Sequence, residues 1–398
     1  MNGPLRTARD FLVSLKLTVV LLALGLILVF AATLDQVNLG IWGIQEKWFR
    51  TFVVVQPMGA GGTSVPIFPG GYAIGGLLLL NLIASHFYRF AFTWRKAGIQ
   101  FTHLGVILLL IGELLSGLWQ EDYRMQLHEG ETKNFSEHHL NNELAIIDTT
   151  NPAHDEVVAI PEEIIARKEA IQHAKLPFRI VIKEYFPNSD LAMRDAGSTR
   201  PPQATMGIGM SVAATSQPLT YKQNERNMPA ASVELVGTSG SIGTWLVSTS
   251  FSPHSRAPFL QAPQAFTHEG RTYRIALRWT RSYKPFSFQL LKVTHDVYPG
   301  TDTPKNFSSR LLLKTPDGRE DREVLIYMNN PLRYGGYTFY QHQMDSAQGM
   351  TGLQAVKNPS WLLPYVACTM MTFGLLWQFM IHLAGFIERR RAAAAANP

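Results

Sequence analysis

The stretch IQFTHLGVILLLIGELLSGLW, Ile99–Trp119, decides the fold of this chain. Its only ionisable side chains are His103 and Glu113. A helix of ~20 mostly apolar residues crosses the hydrocarbon core of a bilayer. In a helix one segment also satisfies its own backbone hydrogen bonds, as lipid demands. Three more runs read the same way: Leu17–Leu34, Val65–Tyr88 and Trp361–Ile387. Apolar residues gather at both ends of the chain, and the middle reads as a soluble protein. The expected fold is an α-helical membrane protein with four transmembrane helices and a large extracytoplasmic, mainly-β, sandwich-like domain. Residues 1–120 hold three spans (about 13–34, 65–88 and 99–119), 121–358 the β domain, and 359–398 the fourth span with a short basic tail. The first run follows Arg6, Arg9 and Lys16, as a signal peptide would, but its length and the spans after it favour an anchor.

Short cytoplasmic loops carry an excess of lysine and arginine. Arg6, Arg9 and Lys16, then Arg89, Arg95 and Lys96, then Arg389, Arg390 and Arg391 all fall on one side of a four-span chain. Both termini are therefore expected in the cytoplasm, the spans in a bacterial inner membrane, and residues 121–358 in the periplasm. The 35–64 loop sets Asp35 and Glu46 against Lys47 and Arg50 and shows no bias. These basic flanks account for most of the net charge of +6. They point to anionic membrane lipid, with no need of nucleic acid. The single cysteine, Cys368, lies in the fourth span. The β domain thus has neither a disulfide nor a CxxC pair, which excludes a thiol-disulfide reductase.

Between the spans, short segments alternate polar and apolar residues as half-buried strands do. They are Glu143–Asp148, Phe178–Tyr185, Ser232–Val236, Thr244–Ser248, Tyr273–Trp279, Phe288–Thr294, Arg310–Leu313, Glu323–Met328 and Tyr337–Gln341. In one of them Tyr273, Ile275, Leu277 and Trp279 share a face. Pro161–His173 reads as a helix, with proline and two glutamates in its first turn. Asn188–Asn227 is rich in Gly, Pro, Ser and Gln and reads as a long loop. Many short strands joined by turns predict a β-sandwich, in one lobe or two.

Ionisable residues inside spans are costly and usually functional. Three histidines, His86, His103 and His382, fall near the cytoplasmic ends of spans two, three and four, at similar depth. Imidazole ligates haem iron and other transition metals. His86 and His382 read as readily as interfacial residues. His103 is deeper, and Gly105 beside it permits close approach of a helix or a flat ligand. Glu113 lies ten residues from His103, ~15 Å along a helix, too far to share a metal with it. Histidines 128, 138, 139, 154, 173, 254, 268, 295 and 342 are scattered through the β domain, and no HExxH, GxSxG or phosphate loop occurs. No catalytic residue and no bound metal ion is expected. The aromatic run Tyr334, Tyr337, Phe339 and Tyr340 reads as sandwich core.

Three stretches carry a family resemblance: RKAGIQFTHLGVILLLIGELLSG (Arg95–Gly117), YMNNPLRYGGYTFYQ (Tyr327–Gln341) and VKNPSWLLPYVACTMMTFG (Val356–Gly374). With the span arrangement, they resemble the ResB family of System II cytochrome c biogenesis. The resemblance implies a subunit of a holocytochrome c synthase complex, inactive alone, that works with a ResC/CcsA-like multi-span partner. Together the two move haem b across the membrane and attach it to CxxCH motifs of apocytochrome c, with a thiol-disulfide reductase nearby. It implies that His103 is an axial haem ligand, with His86 and His382 as weaker candidates. It marks Asn329, Pro331, Tyr334, Gly336 and Tyr340 as a family-like motif for a partner or substrate. It supplies no role for residues 188–227. Two other readings stand beside it: a non-catalytic scaffold for that partner, and an envelope assembly or sensor protein unrelated to haem. The sensor reading lacks a cytoplasmic effector, since only eleven residues follow Ile387.

Overall fold

A computed structural model describes residues 3–58, 63–88, 93–194, 201–221, 225–251, 260–261, 264–301 and 304–396. Arg89 and His254 lie outside the described residues. In chain order the first elements are α1 (Pro4–Leu12), α2 (Leu15–Ile44), β1 (Val53–Met58), β2 (Thr63–Pro69), α3 (Gly71–Tyr88) and α4 (Ala97–Trp119). There follow β3 (Glu121–His128), β4 (Thr132–Asp148), β5 (Glu156–Pro161), α5 (Glu162–Ala166), β6 (Ala170–Ile171), β7 (Arg179–Phe186), β8 (Ser189–Met193) and β9 (Val212–Ser216). Next come β10 (Ala230–Gly237), β11 (Gly240–Ser248), β12 (Ala265–His268), β13 (Arg271–Val297), β14 (Pro304–Lys314) and β15 (Asp321–Tyr327). The chain ends with β16 (Leu332–Tyr334), β17 (Tyr337–Asp345), β18 (Met350–Lys357) and α6 (Leu363–Ala396). Two compact units result: residues 1–121, 221–223 and 357–398 form one, and 122–220 with 224–356 form the other.

In the helical unit, α2, α3, α4 and α6 are long and apolar enough to cross a membrane. Their outward faces stay apolar, with Leu26 74% and Val37 84% exposed. The helices are joined by polar bonds at chosen points. Asn81 of α3 is fully buried. Its amide donates to the carbonyl of Leu12 at 2.6 Å and that of Ser14 at 3.3 Å, while its oxygen accepts from the Thr18 hydroxyl at 2.6 Å. One side chain thus closes the break between α1 and α2.

Two expectations change here. The 35–64 segment is not a plain loop: α2 runs on to Ile44, bends at Gly40 (φ 69), and ends in a π-helical turn at Gln45–Phe49. The second span begins at Gly71, not Val65, because residues 63–69 form β2 and pair with β1. Pro66 and Pro69 lack backbone donors and oppose a helix there. Asp35 anchors this corner, accepting from Lys47 at 2.8 Å and from the Trp48 indole at 2.8 Å.

The other unit is mostly β. Its main sheet has ten strands, in the order β15-β14-β13-β4-β3-β18-β17-β16, with β5 added on β4 and β12 on β13. A four-stranded sheet, β11-β10-β7-β6, faces part of it. Strand β13 serves two cores. Its first half places Tyr273, Ile275 and Leu277 against Ile180, Val233, Leu235 and Trp245 of the smaller sheet. This lobe is a sandwich. Its second half places Phe286, Phe288 and Leu290 with Met125, Leu127, Leu311, Ile326, Phe339 and Leu353. There the large sheet curls until β15 and β14 approach β17. Phe288 and Phe339 meet edge to face at 4.9 Å between ring centres, a favoured aromatic geometry.

The predicted helix Pro161–His173 is corrected to the single turn α5. Lys168 takes a left-handed conformation (φ 56), and Ala170 and Ile171 then pair with β7 as β6. Edge pairing and the burial of Ile165 outweigh the helix propensity of the segment. The predicted loop at 188–227 is corrected too: β8 pairs with β9 in register from Ser189↔Ser216 to Met193↔Val212. Ala204, Val212, Ala214, Ala230 and Leu246 give that hairpin a small core of its own. Trp279 leaves the face of Tyr273, Ile275 and Leu277. The pairing register with β4 shifts beside it, and its ring takes the Arg226 guanidinium at 3.9 Å.

Candidate functional site

Gly98, Gly105 and Gly112 recur every seven residues, two helical turns, and so share one face of α4. That face is filled by α6. A Cβ on Gly98 would stand 2.6 Å from the Gly374 carbonyl oxygen, and one on Gly105 2.6 Å from Met371 Cγ and 2.9 Å from the Ala367 carbonyl oxygen. Gly112 meets Leu363. In lipid, helices gain little from hydrophobic contact, and small residues permit the close backbone approach that replaces it. Hydrogen bonds hold both ends. Ser116 and Ser360 hydroxyls lie 2.9 Å apart, Asn358 donates to Ser116 at 3.0 Å, and the Trp377 indole donates to the Trp94 carbonyl at 3.1 Å. The space beside Gly105, expected to be open to a helix or a flat ligand, is therefore taken by the helix α6.

His103 stands two residues before Gly105, ~200° round the helix. Its side chain is exposed. Its Nδ1 lies 2.9 Å from the carbonyl oxygen of Ile99, one turn back. A carbonyl oxygen only accepts, so Nδ1 carries the hydrogen, and in the neutral ring Nε2 is the nitrogen with the lone pair. Metal-ligating histidines are oriented in this manner, the second nitrogen donating to a carbonyl or carboxylate. His86, at the end of α3, comes within electrostatic reach of His103. His382 does not join them. Gln378 of α6 packs on Gly98, and Met371 on Gly105. His103 is thus level with the region of Met371, and His382 lies about ten residues, roughly 15 Å, farther along α6. The expectation of three histidines at similar depth is corrected on that point. The Nε2 of His382 is also engaged, 2.9 Å from the amide nitrogen of Gln378. Glu113 is exposed on α4 and makes no hydrogen bond among the described residues.

Within the β unit, no group of three or more His, Cys, Asp or Glu side chains is placed to hold a metal ion, among the described residues. The motif at 329–340 proves to be a strand-turn-strand device. Asn329 (φ 61) turns the chain after β15, and Pro331 follows it into β16. Gly335 (φ 59) and Gly336 (φ 80) form the two-residue turn between Tyr334 and Tyr337, which pair. Two successive left-handed residues match the twist of a hairpin. Gly335 presses on Phe286, and the Tyr334 ring meets Phe286 edge to face at 4.8 Å. Phe339 is core, Tyr334 and Tyr337 are half-buried, and Tyr340 is exposed.

The sequence reading missed the glycine face of α4. The seven-residue spacing was its signal, and it shows only when Gly98 is read together with Gly105 and Gly112.

Residues 263–350 match the ResB-like family. Over 96 residues the chain is 33% identical to Protein NrfI of Wolinella succinogenes, a stretch that covers 24% of this chain and 11% of that protein. The chain thus spans about a tenth of that relative's length. The family match takes in β12 to β17, with most of the second core and the hairpin motif, and does not reach His103. The resemblance to the ResB-like family thus runs through strands of both β cores.

Proposed function

We propose that this chain is a membrane subunit of a cytochrome c biogenesis complex, and that it presents Nε2 of His103 as an axial ligand to haem. The observation that carries the reading is the bond from His103 Nδ1 to the Ile99 carbonyl at 2.9 Å. It turns Nε2 outward on the exposed surface of an apolar helix. A neutral imidazole is also cheaper to hold in lipid than a carboxylate or ammonium. The donor suits haem iron, which histidine ligates in many proteins. Haem b is cargo here, and the chain's own part is to orient one nitrogen toward it. His86, near His103, is the second residue of this site.

The ResB-like match supports the biogenesis reading. In the finer reading a ResC/CcsA-like partner completes the haem path, and haem is attached to CxxCH motifs of apocytochrome c in the periplasm. The basic flanks at Arg6, Arg95 and Arg389–Arg391 support cytoplasmic termini. They set His103 near the cytoplasmic end of its span.

The test is to purify the chain with its multi-span partner and score bound haem by absorbance. His103→Ala is expected to lose the haem and abolish cytochrome c maturation while the complex still assembles. Normal haem and normal maturation in that variant overturn the ligand role and leave the scaffold reading.

A further inference from the structure

One face of the large sheet carries a row of charges that the haem reading does not use. The pairing Arg124↔Glu137 between β3 and β4, and Arg281↔Glu137 between β13 and β4, put these three side chains in line. Cross-strand partners share a face. On β3 the neighbours of Arg124 in sequence, Tyr123 and Met125, point to the second core, so the row lies on the other side. Arg226, from the segment before β10, comes over the same face. Its guanidinium stacks on Trp279 at 3.9 Å, and it donates to the His139 carbonyl at 3.1 Å.

Arg124 and Arg226 lie within electrostatic reach of each other, with His139 and His342 beside Arg124. Asp122 faces Arg124 and Glu137 faces Arg226, and each carboxylate also holds another partner. Glu137 takes Arg281 at 3.3 Å, and Asp122 takes the amide of Gln354 at 2.8 Å. Arg124 makes no hydrogen bond among the described residues, and Nε of Arg226 is buried with no hydrogen-bond partner among them. Burial first, and then Arg124 and Arg226, hold the His139 imidazole down to about 4. Arginine does not shed its proton at neutral pH, so two half-buried arginines cannot relieve their repulsion by titration. A bound anion relieves it, and a planar carboxylate pairs with the guanidinium fork through two parallel hydrogen bonds.

The geometry points to a carboxylate-binding site at Arg124 and Arg226, bordered by His139, His342 and Trp279. It is separate from His103 and does not depend on that residue's role. The carboxylate comes from a small dicarboxylate or from the propionates of a tetrapyrrole, and the two sources are told apart by probe.

The full chain, purified in detergent, is titrated with glutarate, inorganic phosphate, mesoporphyrin IX and mesoporphyrin IX dimethyl ester. Calorimetry follows the first two and porphyrin fluorescence the others. Binding of glutarate, or of the free-acid porphyrin at least tenfold tighter than its ester, is expected. Arg124→Gln is expected to weaken that binding at least tenfold. That side chain makes no hydrogen bond whose loss would unfold the sheet, and an unchanged thermal midpoint checks this. Arg226→Lys keeps the charge but loses the fork, and is expected to weaken binding by a similar factor. Binding of phosphate alone, binding of none of the probes, or carboxylate binding indifferent to Arg124→Gln overturns the proposal.

Discussion

Gly98 and Gly374 meet backbone to backbone: a Cβ on either would stand 2.6 Å from the other's carbonyl oxygen. Neither carbonyl can move without bending its helix. Gly98→Leu is expected to part α4 from α6 and to destabilise the protein by about 1–3 kcal/mol, as overpacking does. Gly117 faces open space on the same helix, and Gly117→Ala is expected to be neutral or to stabilise by about 0.5–1 kcal/mol. Thermal denaturation in detergent separates the two variants. Equal midpoints for both would sink the account of this face.

Asn81 joins α3 to Leu12, Ser14 and Thr18. Asn81→Leu removes the donor to the Leu12 carbonyl and is expected to cost about 1–2 kcal/mol. The predicted local effect is proteolytic nicking near Val13 and Ser14. It is read by limited proteolysis and mass spectrometry, and an unchanged cleavage pattern would count against the role.

Among the histidines of the apolar helices, loss of bound haem is expected to follow the order His103→Ala, then His86→Ala, with His382→Ala close to the unsubstituted protein. The last expectation follows from Gln378, which already engages His382 Nε2. Added imidazole is expected to restore a haem absorbance band to His103→Ala and to do nothing for His382→Ala. Rescue of neither variant would argue that His103 positions something other than iron.

Gly335 and Gly336 both have positive φ, yet they are not equivalent. A Cβ on Gly335 meets the buried Phe286 ring at 2.6 Å, whereas one on Gly336 meets nothing within 4 Å. Gly336→Asn is expected to cost less than about 1 kcal/mol, because Asn tolerates the left-handed region. Gly335→Asn is expected to cost more, with a clash added. Chemical denaturation followed by tryptophan fluorescence distinguishes them, and equal midpoints would contradict the geometry.

His139 is held down to about 4 by burial and by Arg124 and Arg226, against an ordinary 6.5. Its neutral form is therefore the folded form, and the unfolded chain binds the proton more tightly. The contribution to stability is fully present above pH 6.5 and is lost as pH falls toward 4. The loss is on the order of 3 kcal/mol at most. His139→Gln is expected to flatten the slope of stability against pH in that window, measured by denaturant midpoints at half-unit steps. A variant with the same slope as the unsubstituted protein would reject this assignment.

The four apolar helices were legible because Leu17–Leu34 and Ile99–Trp119 state their environment residue by residue, with no long-range partner needed. Strand Tyr273–Trp279 was legible by its alternation. Its true length was not, since residues 280–287 acquire strand character only from β4 and β14 beside them. The segment 188–227 looked like a loop because Gly, Pro, Ser and Gln hide a hairpin whose own buried residues, Ala204, Val212 and Ala214, are few and small. The Pro161–His173 helix failed because β7 supplies a better partner for Ala170 and Ile171. At the candidate site, His103 was legible as a rare ionisable residue in a long apolar run. Its tautomer was not, because that depends on how the ring turns toward Ile99. Nor was the Arg124–Arg226 pair, which joins residues a hundred positions apart.

Strand β13 runs through both β cores, from Arg271 to Val297. Its ladder with β4 slips twice between them, at Trp279–Arg281 and at Tyr283–Phe288. Bulges of this kind kink a strand and leave residues unpaired. The chain is thus shared by the two lobes while its weakest stitches lie between them, so a partner that pulls on the Gly335–Gly336 turn would find the give of this unit at residues 280–287.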